Sequence, residues 1–307
     1  MSRRKHTVEF VKEPMSRGEH IAEMIKDSKY RSKATEKAMG AVFFASALTS
    51  ILAVALICLF LFANGIPAMG KIGIFDFLLG KEWSPSDTPP LFGIFPMILG
   101  SLYVTAGAVL LGVPIGVLTA VFLARVCPKK LYQLIKPGVE LLAGIPSVVY
   151  GFFGMAAIKP LTGNSILSAC ILLGIMILPT IIGIAESSLR AVPEQYYEGA
   201  LALGAGHYRS VFRVVLPAAK SGIFAAVVLG IGRAIGETMA VIMVAGNQAR
   251  VPTSIFRGVR TLTANIVLEM GYAAELHREA LIATGVVLFV FILIINLSFS
   301  ALKRREK

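Results

Sequence analysis

Arg190-Ala191-Val192-Pro193-Glu194-Gln195-Tyr196-Tyr197-Glu198-Gly199-Ala200-Leu201-Ala202-Leu203-Gly204-Ala205-Gly206-His207-Tyr208-Arg209-Ser210-Val211-Phe212-Arg213 lies between two long apolar runs, with Leu216-Pro217 just beyond it. Pro193 suits the first turn of a helix, where its missing N–H costs nothing. Gly199, Ala200 and Ala202 leave a face that another protein can approach closely. Gly204 and Gly206 permit a tight turn that larger residues resist. A second short helix then carries Tyr208, Phe212 and Arg213 back toward the next apolar run. A helix–turn–helix projecting from a bilayer transmits rigid-body motion, which a floppy loop does not. From the residues alone, a loop lying on lipid headgroups fits equally well.

The runs on either side belong to a chain of 307 residues that is 56% apolar, with mean hydropathy +0.75. Soluble globular proteins hold roughly 45–50%. Runs of about 20 apolar residues each span a bilayer as a helix. Six such runs stand at about 39–63, 95–124, 138–158, 165–186, 217–245 and 281–302. Gly144 and Pro146 interrupt the third, as membrane helices tolerate when neighbours satisfy the freed backbone. The expectation is an all-α membrane protein of six helices without edge strands. Residues 1–38 form a polar leader, 39–302 the membrane domain and 303–307 a tail.

The net charge of +12 invites a nucleic-acid reading, but its distribution argues for membrane orientation. The leader, the 125–137 and 187–221 loops and the tail together hold 22 Lys/Arg, and the opposite side holds seven. That asymmetry places both termini in the cytoplasm, and an even number of spans requires them on one side. Residues 18–38 suit either an amphipathic helix on the inner membrane surface or a solvated tail. The loops at 64–94, with Trp83 suited to the membrane interface, and at 246–280, long enough for a short helix, should face outside. There is no cleavable signal peptide pattern. Cys58, Cys127 and Cys170 read as small core residues. No His or Cys has metal-ligand spacing, so no metal site is assigned.

The fifth run holds Gly232-Arg233-Ala234-Ile235-Gly236-Glu237-Thr238. Arg233 and Glu237 are spaced to share one helix face. A charge at mid-bilayer costs about 2.5–3.5 kcal/mol on insertion scales, so both should face the bundle or a wet cavity. Gly232 and Gly236 have the spacing that lets a neighbouring helix come close. Two readings of the pair stand side by side. The charges neutralise each other and hold helices together, or Arg233 draws an oxyanion along a path with its planar donor fork, with Glu237 and Thr238 beside it. Glu140, Glu186 and Arg190, near the inner ends of their spans, read as surface or helix-packing residues.

The 190–213 stretch resembles the EAA loop of binding-protein-dependent ABC importer permeases. The three-residue opening stands here as Glu198-Gly199-Ala200, departing from Ala at the second position, and Gly204 and Leu216-Pro217 fit. The resemblance implies a type I importer (MetI-like) fold in which Glu198, Gly199, Ala200, Gly204 and Tyr208 dock on an ATPase subunit. The 232–240 segment, and Ala143-Gly144-Ile145-Pro146-Ser147-Val148-Val149-Tyr150-Gly151 in the third run, look like phosphate-specific transport permeases. Gly144, Pro146, Ser147 and Tyr150 carry the second motif. Trp83-Ser84-Pro85 and Phe92-Gly93-Ile94-Phe95-Pro96 are similar to the PstC type. The resemblance implies a PstA-like second permease, a PstB-like ATPase dimer carrying ATP and Mg, and a PstS-like phosphate-binding protein outside.

No GxxxxGK[ST] is present, so a P-loop is excluded, and no nucleophile–base constellation points to an enzyme. The reading is a transport subunit without a cofactor of its own. Sulfate, molybdate or phosphonate as cargo stays open. So does an ion-coupled transporter with Glu237 as proton relay.

Overall fold

The computed structural model describes the backbone of residues 17–305 and the side chains of residues 35–298 and 301. The first 16 residues of the leader lie outside the described residues, as do the side chains that would define an amphipathic face in it. The elements run α1 (Arg17–Ile72), α2 (Ile74–Leu79), β1 (Trp83–Ser84), β2 (Leu91–Phe92), α3 (Phe95–Val121) and a π-helical turn (Phe122–Val126). Then come α4 (Lys129–Gly144), α5 (Ser147–Phe153), a second π turn (Gly154–Ile158), α6 (Lys159–Thr162) and α7 (Ile166–Arg190). After these follow α8 (Glu194–Ala202), α9 (His207–Ser210), a third π turn (Val211–Val215), α10 (Leu216–Ala218) and α11 (Lys220–Gly236). The chain ends with α12 (Met239–Val244), α13 (Leu262–Glu269) and α14 (Glu275–Arg305).

Residues up to Phe60 form one unit and those from Leu61 onward another. The first is helix. Its hydroxyls turn back on their own backbone: Ser46 Oγ donates to the Val42 carbonyl and Thr49 Oγ1 to that of Ala45, both at 2.8 Å. Such back-bonding spares those two hydroxyls from facing lipid without a partner.

Four helices are long and apolar enough to cross a membrane: Thr35–Ile72, Phe95–Val126, Ile166–Arg190 and Glu275–Ser298. Two bent pairs qualify as well, Lys129–Gly144 with Ser147–Thr162 at 102° and His207–Ala218 with Lys220–Gly236 at 70°. Six spans follow if each pair counts once. The expected third span at 138–158, interrupted at Gly144 and Pro146, is two helices. Proline forces the residue before it out of the α region, and Ile145 is extended, with φ −69° and ψ 127°. The expected fifth span at 217–245 is in three pieces, separated at Ala219 and at Glu237–Thr238. The expectation of no edge strands rests on lipid, and the two short strands of this structure lie elsewhere. The β1–β2 pair is antiparallel, with Trp83 opposite Phe92, and lies outside the candidate spans.

The second unit is built on α7, most of whose side chains are buried. The α3 and α7 helices touch through glycine. A Cβ on Gly112 would meet Ile177 at 2.8 Å and the Gly174 carbonyl at 2.9 Å, and one on Gly116 would meet Ile181 at 2.8 Å. Small residues at such contacts let dispersion between backbones replace the hydrophobic drive that lipid removes. The 252–257 loop caps the start of α7: the N–H groups of Ile166 and Leu167 donate to the carbonyls of Arg257 and Ile255, both at 3.0 Å. Those donors have no partner inside the helix.

Candidate functional site: two broken spans and a projecting loop

The α11 helix stops at Gly236. Glu237 is extended, with φ −72° and ψ 128°, and Thr238 has φ −120° and ψ −58° before α12 begins. Glu237 Oε1 accepts from the N–H of Thr238 at 3.1 Å and of Ala240 at 3.2 Å. A carboxylate at this place satisfies donors that have no helical partner and sits at the positive end of the next peptide dipoles. The Glu237 carbonyl accepts from Thr263 Oγ1 at 3.3 Å, and Thr238 Oγ1 donates to the Gly236 carbonyl at 3.2 Å.

This geometry corrects the expectation that Arg233 and Glu237 share one helix face. The helix ends between them, and the carboxylate is turned onto its own backbone. Arg233 is exposed and makes no hydrogen bond or ion pair with any of the described residues. Within this chain no neighbour approaches Gly232 or Gly236: a Cβ at either meets nothing within 4 Å among the described residues. Gly230 takes that place, its Cβ position 3.0 Å from Ile181.

The break in the third span lies against this one. Pro146 precedes α5, and Gly144 ends α4. Tyr150 donates its hydroxyl to the Leu142 carbonyl at 2.8 Å, bridging the bend. The same ring is buried with Ala240, Val241 and Val244 of α12. A Cβ on Gly151 would lie 3.3 Å from the Ala240 Cα, so α5 and α12 meet nearly backbone to backbone. Arg233 is close enough for its charge to act on the Tyr150 phenol. Of the third-span motif, Tyr150 is therefore the residue placed against α12 and near Arg233, while a Cβ on Gly144 meets nothing within 4 Å among the described residues. Non-helical backbone at membrane depth persists only where protein buries it or it lines a water-filled cavity. Discontinuous helices facing each other are how transporters build substrate sites.

The projecting loop is two short helices, α8 and α9, around a turn in which Gly204 has φ +83°. Gly206 is extended, with φ −71°, so only the first glycine uses the left-handed region. Glu198, Gly199, Gly204 and Tyr208 are exposed and Ala200 is half-buried. Leu203 is 91% and Tyr208 65% exposed, an apolar surface without cover among the described residues. The inner side is pinned. Tyr197 Oη and His207 Nδ1 are 2.7 Å apart. Arg125 donates to Glu194 at 2.7 Å and to the carbonyls of Leu189 at 3.0 Å and Val192 at 3.4 Å.

Two polar clusters escaped the sequence reading. Glu186 is only 2% exposed, and its carboxylate accepts from Tyr132 Oη at 2.8 Å, Lys136 Nζ at 2.9 Å and Arg190 Nε at 2.8 Å. Removing one partner of such a buried pair costs about 3–5 kcal/mol, because a charge is left uncompensated. The exposed pair Lys71–Glu279, at 2.7 Å, contributes only about 0–1 kcal/mol. The i,i+4 spacing of Glu186 and Arg190 was visible in the sequence, but their partners on α4 were not.

The second cluster surrounds Glu269, which accepts from Trp83 Nε1 at 2.8 Å, from Arg260 Nη1, and lies 2.8 Å from His277 Nε2. Trp83 is buried, at 7% exposure. Arg260 also donates to Asn265 Oδ1 at 3.0 Å. Among the described residues, no group of His, Cys, Asp or Glu is placed to hold a metal.

Residues 112–307 match the family described as "Binding-protein-dependent transport system inner membrane component". A probable ABC transporter permease protein, YqgH of Bacillus subtilis, is 36% identical over 90% of this chain and 94% of its own. The phosphate transport system permease protein PstC of Mesorhizobium japonicum is 35% identical over 76% of this chain and 80% of its own. Among solved structures, an inward-facing MetNI methionine ABC transporter chain superimposes with TM-score 0.60 at 20% identity, covering 70% of this chain and 96% of that one. An amino acid ABC transporter follows with TM-score 0.54 at 20% identity, covering 69% of this chain and 93% of that one. Bent membrane helices meeting at their breaks, a projecting helical loop, the family match over most of the chain and relatives similar along nearly their whole length converge: this chain belongs to the inner membrane components of binding-protein-dependent transport systems, with the fold of a type I ABC importer permease.

Proposed function

We propose that this chain is the PstC-like membrane subunit of an ATP-driven phosphate importer. The relatives named PstC support the cargo. The observation that carries the path is the unpaired Arg233 at the meeting point of two broken spans. Its guanidinium presents a rigid fork of donors that matches an oxyanion, and no protein carboxylate occupies that fork among the described residues. Glu237 holds the break open as a cap, and Thr238 stands beside it as a further hydroxyl for the passing anion.

Both termini and the 190–213 loop lie in the cytoplasm in this reading. A PstB-like ATPase dimer, carrying ATP and Mg, grips the exposed face of Glu198, Gly199, Ala200, Gly204 and Tyr208. A PstA-like permease completes the path against the open glycine faces at 144, 232 and 236, and a PstS-like binding protein delivers phosphate from outside. ATP closes the ATPase dimer, the loop moves as a body, and the broken spans rock between inward- and outward-open arrangements.

Radiolabelled phosphate uptake tests this in cells lacking their own high-affinity importer and expressing this chain with its neighbouring partner genes. ATP-dependent uptake that disappears in Arg233→Gln at normal membrane levels is the expected result. Assembly without phosphate uptake would transfer the cargo to sulfate, molybdate or phosphonate. Uptake that persists without any ATPase would favour an ion-coupled transporter.

A further inference from the structure

We infer that Glu186 is the joint through which movement of the coupling loop reaches the bent third span, a positioning residue for transport; this rests on the ATP-driven reading above. The α4 helix has no buried residue, so packing alone holds it weakly. Among the described residues, its side-chain hydrogen bonds to α7 both end on one carboxylate, Tyr132 Oη at 2.8 Å and Lys136 Nζ at 2.9 Å on Glu186. Arg190 binds the same carboxylate at 2.8 Å and is the last residue of α7, directly before the loop. Its guanidinium lies 4.7 Å from the Tyr132 ring centroid and donates to the Leu123 carbonyl at 2.9 Å. At its other end α4 is held by Tyr150 on Leu142, across the 102° bend. A helix pinned at both ends and loose between them moves as a rod. Displacement at Arg190 therefore passes through Glu186 to α4 and from there to Tyr150, beside Arg233. A packing role would need only volume at position 186, whereas a joint needs the charge and both donors of α4.

The test uses the full complex, this chain with its partner permease, ATPase and binding protein, in proteoliposomes. The quantity read is phosphate taken up per ATP hydrolysed. Glu186→Gln keeps the shape but loses the charge. The expected result is an assembled complex that still hydrolyses ATP, with the ratio down about tenfold, the scale of effect seen for residues along a coupling route. Tyr132→Phe, which changes no charge, should lower the ratio about threefold on the same scale, and Glu186→Asp should recover part of the loss. A wild-type ratio in both Glu186→Gln and Tyr132→Phe overturns the inference. So does a Glu186→Gln chain that fails to assemble while Tyr132→Phe and Lys136→Met couple normally, because the residue then only supports packing. A wild-type complex that hydrolyses ATP without moving phosphate counts against the cargo instead, and the same ratio is then read with sulfate, molybdate or phosphonate.

Discussion

The Tyr150 hydroxyl donates to the Leu142 carbonyl at 2.8 Å, across a bend of 102° at which that carbonyl's backbone donor is the Ile145 N–H at 3.3 Å. The ring that makes this bond is also the one buried against α12. One side chain therefore fixes the angle of the third span and its contact with the fifth. Tyr150→Phe keeps the packing and loses the bond, a cost of about 0.5–1.5 kcal/mol. Thermal unfolding of the purified protein should fall accordingly, and phosphate uptake should fall more than membrane level does.

Arg233→Gln removes a charge that no described residue neutralises, so the chain should assemble normally. Loss of a charged hydrogen bond to the passing anion, about 1.5–3 kcal/mol, corresponds to about a 10- to 100-fold drop in uptake. Adding Glu237→Leu to Arg233→Leu should not restore uptake, because Glu237 caps α12. Recovery in the double variant, measured as phosphate uptake, would show that the two charges pair after all.

Gly199 and Gly204 separate docking from folding. Gly199 has nothing within 4 Å of a built Cβ, so Gly199→Leu should leave the chain folded and abolish co-purification with the ATPase. At Gly204 the left-handed backbone, with φ +83°, makes a β-branched residue costly. Gly204→Val should distort the loop itself at about 1–2 kcal/mol, visible as increased proteolysis between residues 194 and 213.

Trp83 is the chain's single tryptophan, so its emission reports the Glu269 cluster alone. Burial predicts a blue-shifted spectrum with little quenching by iodide. Glu269→Ala strips the acceptor from Arg260, His277 and Trp83 and should destabilise the protein by about 3–5 kcal/mol, as for any broken buried pair. A red-shifted emission would accompany that loss, while Lys71→Ala, at an exposed pair, should leave the spectrum unchanged.

The legible part of this molecule was the part whose cause is local. Apolar runs mark spans because lipid demands them, and Pro146 marks a bend because it restrains Ile145. The 246–280 stretch has room for a helix, and α13 occupies it. The break at Glu237 was not legible. No proline stands there, and the four-residue spacing from Arg233 suggests one continuous face. Gly236 followed by Thr238 and the apolar Met239–Val244 was the available sign of a stop and a new start. The clusters on Glu186 and Glu269 were out of reach for another reason. Trp83 and Glu269 are 186 positions apart, and Tyr132 and Glu186 are 54 apart, distances over which only the folded chain chooses partners. The loop's exposed residues were readable, whereas the pins beneath it, Arg125 on Glu194 and Tyr197 on His207, were not.

The two bends also set an order of events during synthesis. The third segment reaches the bilayer with its backbone open at Ile145–Pro146, long before α12 exists to cover it. Until Met239–Val244 has been made and has closed on Tyr150 and Gly151, that segment holds polar backbone that lipid cannot solvate. A chain that stops short of residue 239 therefore keeps that stretch of backbone without the cover α12 gives it.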